Sequence, residues 1–592
     1  MTKQIFIPDP GLTAEHVAPV PTPIGRTAAR QRQDRQALAR PGEGRRRPDI
    51  WTLGALTAAL LVAAPLLALL YLATGSASDI WSHLAATVLP VYLRTTFGLM
   101  LGVGLGTFLI GVGTAWLVTM CRFPGQRLFE WVLLLPLAVP AYVIAYVYTD
   151  LLDFAGPVQG LLREIFGWTS AREYWFPRIR SLGGAITMMT LVLYPYVYLL
   201  ARAAFVAQSV CVLEVSRTLG RTPWRAFVEV ALPLARPAIV VGVSLVLMET
   251  LNDFGTVDFF AVPTLTRGIY DVWLNMNSVA GAAQLALVLL ALVLVLLAGE
   301  RLARRGQRYH HTSTRYRALP SYRLSGGRAC LAFIACLLPP LLGFAVPAAI
   351  LGMYTLRLPA GSLDGDFLRY AWNSLSLSLV SATLAIVIGL FLVYAVRLSR
   401  GPWLQGAVRF AGIGYAVPGA VLAVGIMIPL AALDNTIDAF SRQTFNLSTG
   451  LILSGTLFAI VYGYLVRFLA LSLGTAEAGL AKITAGVDGA ARTLGLGPLR
   501  TMVKVHLPMM RGSILTAAIL VFVDCMKELP ITILLRPFNF DTLATYVHQF
   551  ASGDLLEKCA PGALAIVAVG ILPVIALSRT IGQSRPGSTA GS

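Results

Sequence analysis

The chain has 592 residues, 56% of them hydrophobic and only 13% charged, with a mean hydropathy of +0.71 and a formal net charge of +18. That balance excludes a large water-soluble enzyme. Runs of about 18 or more mostly apolar residues recur along the sequence, each long enough to cross a bilayer as a helix. The positive charge could suggest nucleic acid, but the arginines cluster between apolar runs, which is the bias that orients a membrane protein. The six cysteines (Cys121, Cys211, Cys330, Cys336, Cys525, Cys559) show neither ligand spacing nor a disulfide framework.

Residues 1–50 are rich in proline and arginine and read as a disordered basic cytoplasmic tail, with Arg45, Arg46 and Arg47 against anionic lipid. No small-residue cleavage site follows the first apolar run, so 51–73 is expected to be a retained anchor helix. Further spans are predicted near 93–120, 128–152, 182–207, 237–256 and 279–300. A second set follows near 329–354, 372–396, 405–433, 450–474, 512–530 and 560–578. The fold class is therefore an all-α polytopic membrane protein of about twelve spans. The expected domains are a first half at 51–300, a cytoplasmic linker at 301–328, a second half at 329–580 and a tail at 581–592. Basic residues near 122–127, 217–236, 301–328, 397–400 and 492–511 place both termini in the cytoplasm, with Arg163, Arg172, Arg178 and Arg180 as an exception near Glu164 and Glu173.

The halves are one unit written twice. The stretch 214–237, EVSRTLGRTPWRAFVEVALPLARP, returns at 489–512 as GAARTLGLGPLRTMVKVHLPMMRG. Arg217 aligns with Arg492, Gly220 with Gly495, Pro223 with Pro498, Leu232 with Leu507 and Pro233 with Pro508. Outside this stretch, Val139-Pro140 aligns with Val417-Pro418 and Gly111 with Gly389. Since both halves enter and leave on one side, the repeat is parallel, about an axis along the membrane normal. Each loop is predicted to be two short helices turned at Gly220 or Gly495, where glycine permits a left-handed conformation. Pro233 and Pro508 would start or bend the returning helix. An ordinary connecting loop would diverge; two matching rigid elements suit docking onto a two-fold soluble partner.

Apolar runs also hold acids. Glu249 and Asp253 lie four residues apart and so on one helix face; the coupling-loop register pairs them with Asp524 and Glu528. Intramembrane carboxylates usually face a cavity or a partner. The chain turns at Asp253-Phe254-Gly255 and Glu528-Leu529-Pro530, so both helices are expected to break there. These acids are the candidate translocation path. Hard oxygen donors suit a hard cation in transit, although no stable metal site is expected. A structural alternative is that Lys527 neutralises a carboxylate and that the acids cap the short segments beyond the breaks.

The pattern Glu-x-x-x-x-x-Gly followed by Leu-Pro resembles the coupling loop of ABC-importer permeases, the binding-protein-dependent transport inner-membrane family. The resemblance covers about 90–300 and 370–580 and implies two six-helix halves, each with an importer-permease (MetI-like) core. By resemblance, Glu214, Arg217, Gly220, Leu232 and Pro233 form the first ATPase-coupling element. Asp488, Arg492, Gly495, Leu507 and Pro508 form the second, which departs from the pattern because Gly489 stands where Glu214 aligns. The chain has no G-x-x-x-x-G-K-[ST] loop. It is therefore expected to bind no cofactor and to catalyse no hydrolysis, leaving ATP and Mg to a partner ATPase dimer. The segments 135–148, 251–273, 414–425 and 526–552 resemble fused ferric iron permeases, implying a periplasmic or lipid-tethered binding protein that delivers iron to an inner-membrane complex. A thiamine or other small-solute importer is the alternative within this class. A secondary transporter is the alternative outside it, though it would not need paired coupling loops. Apart from these proteins, membrane lipid is the expected partner.

Overall fold

The computed structural model describes residues 50–75, 84–207, 218, 221–304, 322–359, 365–399 and 401–583. The expected basic tail, Glu214, Arg217, Gly220, most of the linker and the end of the chain lie outside them. Among the described residues, ten helices are long and apolar enough to cross a bilayer, or up to twelve if each of two sharply bent helix pairs is one span. The first half contains α1 (Ile50–Leu72), α2 (Leu89–Met120), α3 (Ala141–Leu152), α4 (Leu182–Ala207), α5 (Leu232–Asn252), α6 (Gly255–Phe259), α7 (Leu265–Tyr270) and α8 (Val279–Arg304). The second contains α9 (Gly327–Pro340), α10 (Val346–Arg357), α11 (Gly365–Ser399), α12 (Gly419–Phe445), α13 (Leu457–Ala481), α14 (Ala485–Thr493), α15 (Arg511–Met526), α16 (Pro530–Leu535), α17 (Leu543–Ser552) and α18 (Leu556–Gln583).

Three expected spans are corrected. The stretch 128–152 is a broken element, in which Gln126–Ala138 meets Ala141–Phe166 at 89°. The cause is local: a residue before proline is pushed out of the helical region. Val139 before Pro140 has ψ 121°, and Val417 before Pro418 has ψ 124°. The span expected at 405–433 is therefore interrupted in the same way, between Pro402–Ala411 and α12. The span expected at 450–474 starts later, at Leu457, because Asp434 collects the backbone N–H groups of Ile452 (3.1 Å), Leu453 (2.9 Å) and Ser454 (2.7 Å). Those donors are then lost to any helix, however apolar their side chains.

The repeat is visible in three dimensions. Thr96 Oγ1 accepts the Leu265 N–H at 3.0 Å, and Ser374 Oγ accepts the Leu543 N–H at 2.7 Å, the matching bond in the other half. Gly111 lets α2 and α4 touch: a Cβ there would come 2.8 Å from Val197 Cβ and 2.9 Å from Tyr198 N. Gly389 meets Ser472 of α13 in the same manner. Small residues at crossings of this kind let membrane helices approach closely.

The outermost helices exchange between the halves. In α1, the Pro65 backbone fills the space beside Gly425 of α12, and the Leu61 carbonyl accepts the Tyr462 hydroxyl of α13. Conversely, the turn between α9 and α10 packs on the first half, where the Tyr148 hydroxyl donates to Leu342 O at 2.8 Å and Gly343 leaves no room for a Cβ against Leu191 O. A two-residue parallel strand pair joins Cys121–Arg122 to Tyr322–Arg323, so two of the basic segments expected on one side lie together. Arg180 is not neutralised by the acids expected near it. It pairs with Asp554 at 3.1 Å and with Asp153 at 3.6 Å, while Glu173 accepts from Thr169.

Candidate functional site

Both helices that carry the acids do break. α5 ends at Asn252 and α6 begins at Gly255; α15 ends at Met526 and α16 begins at Pro530. Asp253 thus sits just beyond its helix, where its carboxylate accepts the Thr256 N–H (2.9 Å) and hydroxyl (3.1 Å). Glu528 accepts the Ile531 N–H at 3.3 Å, the equivalent cap in the second half. Each acid therefore satisfies backbone donors that a broken membrane helix leaves open.

The structure brings all four acids together. Glu249, Asp253, Asp524 and Glu528 line one cavity between the halves, with Tyr142 of α3, Tyr415 and Arg467 around them. Glu249 accepts the Tyr415 hydroxyl at 2.8 Å across the interface. Lys527 pairs with Asp524 at 2.9 Å, realising the pairing the sequence offered as the structural alternative. Arg467 lies 3.6 Å from Glu528, both nearly sealed from solvent at 3% and 6% exposure. The Arg467 guanidinium also donates to the Asn252 side-chain carbonyl, which accepts the Gly419 N–H at 2.7 Å. The halves are tied further by the Tyr270 hydroxyl on Pro530 O at 2.6 Å.

Sequence reading missed Arg467, Asn252 and Tyr142. Arg467 carried one usable signal, since a lone arginine deep in an apolar run marks a buried polar cluster. Asn252 and Tyr142 carried none without the fold. Among the described residues, no group of three or more His, Cys, Asp or Glu side chains is placed to hold a metal ion. What the cavity offers is a set of oxygen donors between the two halves.

The second loop is described in full. α14 ends in a left-handed glycine: Gly495 has φ +74°, its N–H reaches Arg492 O at 2.9 Å, and the Leu496 N–H reaches Ala491 O at 3.0 Å. This is the paired bonding that closes a helix with glycine just past its end. A Cβ on Gly495 would meet nothing, so substitution acts on the backbone alone. Gly495→Ala is expected to cost about 1 kcal/mol locally, read as faster amide exchange over 485–497.

Asp488 anchors this helix. It accepts Arg397 of α11 at 2.8 and 2.9 Å and faces His506 Nε2 at 2.8 Å. Arg492, Leu494, Gly495, Leu499 and Val503 are exposed, and Trp224 and Val228 are the exposed equivalents of Leu499 and Val503 in the first half. Pro508 lies in the short turn Leu507–Met509, and the chain bends by 79° into α15. In the first half, Leu232 and Pro233 instead open α5, and Trp224–Asn252 forms one continuous span. A proline can start a helix or break one, and the two copies use both options.

A twice-written helical bundle whose broken helices meet at a polar cavity is the construction of a membrane transport subunit. Residues 107–308 match the family described as "Binding-protein-dependent transport system inner membrane component", and the chain belongs to that family, the permeases of ABC importers. It is 26% identical over 491 residues to the Fe(3+)-transport system permease protein FbpB 2 of Haemophilus influenzae, an alignment covering 82% of this chain and 89% of that one. It is 33% identical over 201 residues to the molybdenum transport system permease protein ModB of Escherichia coli, covering 33% of this chain and 84% of that one. Similarity to a putative 2-aminoethylphosphonate transport system permease protein, PhnU of Salmonella typhimurium, is 29% over 201 residues, or 33% and 69% of the two chains.

Proposed function

We propose that this chain carries ferric iron across the inner membrane, receiving it from a substrate-binding protein on the outer face. ATP hydrolysis occurs on a separate ATPase dimer, which docks on the loops near 214–233 and 488–508 on the cytoplasmic side with both chain termini. The observation that carries the cargo is the similarity to a ferric permease over 491 residues, which spans both halves. The similarities to the molybdenum and phosphonate permeases cover only a third of the chain. The four carboxylates of the cavity outnumber its two cations, which supports the same reading, because a net negative site repels an anion and attracts a hard cation.

ATP-driven closure of the partner dimer would draw the two loops together. The exposed apolar side chains Trp224, Val228, Leu499 and Val503 supply surface for that contact. The halves would then rock about the cavity, opening it inward; this is a rigid-body transition of packed bundles.

One observation favours a second reading, an oxyanion importer: two cations, Arg467 and Lys527, also line the cavity. Both are already paired with acids, which weakens it. The deciding experiment is uptake of radiolabelled ferric iron by proteoliposomes holding this chain, its ATPase and its binding protein. ATP-dependent iron accumulation supports the proposal; accumulation of molybdate or sulfate instead would replace it. Glu249→Gln is expected to reduce iron uptake to about one tenth of wild type, the scale of losing one group at a metal contact. Wild-type uptake by a correctly assembled Glu249→Gln complex would remove Glu249 from the path.

A further inference from the structure

The four acids of the cavity are not equivalent. Two of them have counter-ions built into the chain: Asp524 holds Lys527 and Glu528 faces Arg467. Glu249 and Asp253 have no ion pair among the described residues; their carboxylates accept from Tyr415 and from Thr256, which are neutral donors. The acids without an ion pair therefore belong to the first half. The repeat makes the asymmetry plain. In the register that pairs Gly111 with Gly389, Arg467 stands where the first half has Met189. In the register of the acids, Lys527 stands where it has Asn252.

A second observation falls on the same side. Tyr142 is 4% exposed and lines the cavity, yet its hydroxyl has no hydrogen-bond partner among the described residues. Buried hydroxyls are normally paired, and leaving one open is costly. Three other tyrosines at the interface have partners: Tyr415 with Glu249, Tyr270 with Pro530 and Tyr146 with His548. The ring of Tyr142 is held in place by the break between α5 and α6, since a Cβ on Gly255 would come 2.7 Å from Tyr142 Cβ. Its counterpart in the second half is Ala420, which has no oxygen to offer.

We propose that Tyr142, Glu249 and Asp253 form the contact site for a ferric ion in transit, while the acids of the second half are held neutral by Lys527 and Arg467. This deepens the ferric reading above and rests on it. Phenolate and carboxylate oxygens are hard donors of the kind a small, highly charged cation takes. Binding exchanges the phenolic proton for the metal, and the proton passes to water in the cavity. Three oxygens from one half, without a closed ligand shell, hold an ion loosely enough to release it when the halves rock apart.

The test uses the complete complex of permease, ATPase and binding protein, with iron supplied as ferric nitrilotriacetate. Tyr142→Phe keeps the ring and removes only the oxygen. Tyr194→Phe is the control, because the Tyr194 hydroxyl is also buried and unpartnered but does not line the cavity. We expect iron uptake to fall about 10-fold in Tyr142→Phe and to stay at wild-type level in Tyr194→Phe, with the complex assembled in both. The wild-type complex should also show the visible tyrosinate-to-iron charge-transfer absorbance, and Tyr142→Phe should lack it. Iron uptake equal in wild type and Tyr142→Phe overturns this contact alone. A wild-type complex that moves no iron overturns the ferric reading and this contact with it.

Discussion

Arg467→Leu is expected to destabilise the protein by about 3–5 kcal/mol, the scale of stranding one member of a buried ion pair. The substitution leaves the Glu528 carboxylate at 6% exposure without its cation. It also removes the guanidinium from Asn252, whose carbonyl then has only the Gly419 N–H. Since folded domains are stable by roughly 5–15 kcal/mol in total, a loss of this size should be visible as reduced yield and a lowered denaturation midpoint in detergent. The double substitution Arg467→Leu with Glu528→Gln should recover most of that loss, because no bare charge remains. If the single variant were as stable as wild type, the pair would be solvated and the cavity much wetter than its packing indicates.

The second large effect is expected at Arg397, whose guanidinium joins three elements. It holds Asp488 of α14, and it donates to Leu480 O at 2.9 Å and Ile483 O at 3.0 Å at the end of α13. Membrane helix α11, the end of α13 and α14 are therefore tied together at one side chain. Arg397→Ala, or Asp488→Asn more mildly, should let α14 shift without carrying the helices. Coupling energies of 1–3 kcal/mol correspond to about 5–150-fold effects. We expect transport to fall within that range while the assembled complex continues to hydrolyse ATP. Transport and hydrolysis falling in equal proportion would instead mean that the ATPase no longer docks.

Much of this was legible in the sequence because the chain states its design twice. The start of α4 and the breaks after Asn252 and Met526 follow from apolar length and from the Gly and Pro that stand at the turns. The repeat also located the acids, since two pairs in one register single out a shared place. What could not be read was contact across the repeat. Nothing local links Tyr142 to Gly255 or Arg467 to Asn252, and a periodic pattern is silent about which faces of two bundles meet. The interruptions at Val139-Pro140 and Val417-Pro418 were present in the sequence but overridden by the apolar length around them. The start of α13 was hidden for another reason: Asp434 competes for the backbone of an apolar stretch from 18–20 residues away. The displaced acid of the second loop was visible, but not its purpose. Asp488 bonds inward to Arg397 and faces His506 rather than lying free on the surface.

The exchange of outer helices bears on how the protein is made. α1 leaves the ribosome early, but Tyr462, which grips its Leu61 carbonyl, is 401 residues away. At 5–20 residues per second, α1 waits roughly 20–80 s in the membrane before that partner is synthesised. During that interval its packing face is turned to lipid or to the insertion machinery. The order of synthesis thus makes this outer contact form late, and the two halves, expressed as separate polypeptides, would each lack the other's helix until both are present in one bilayer.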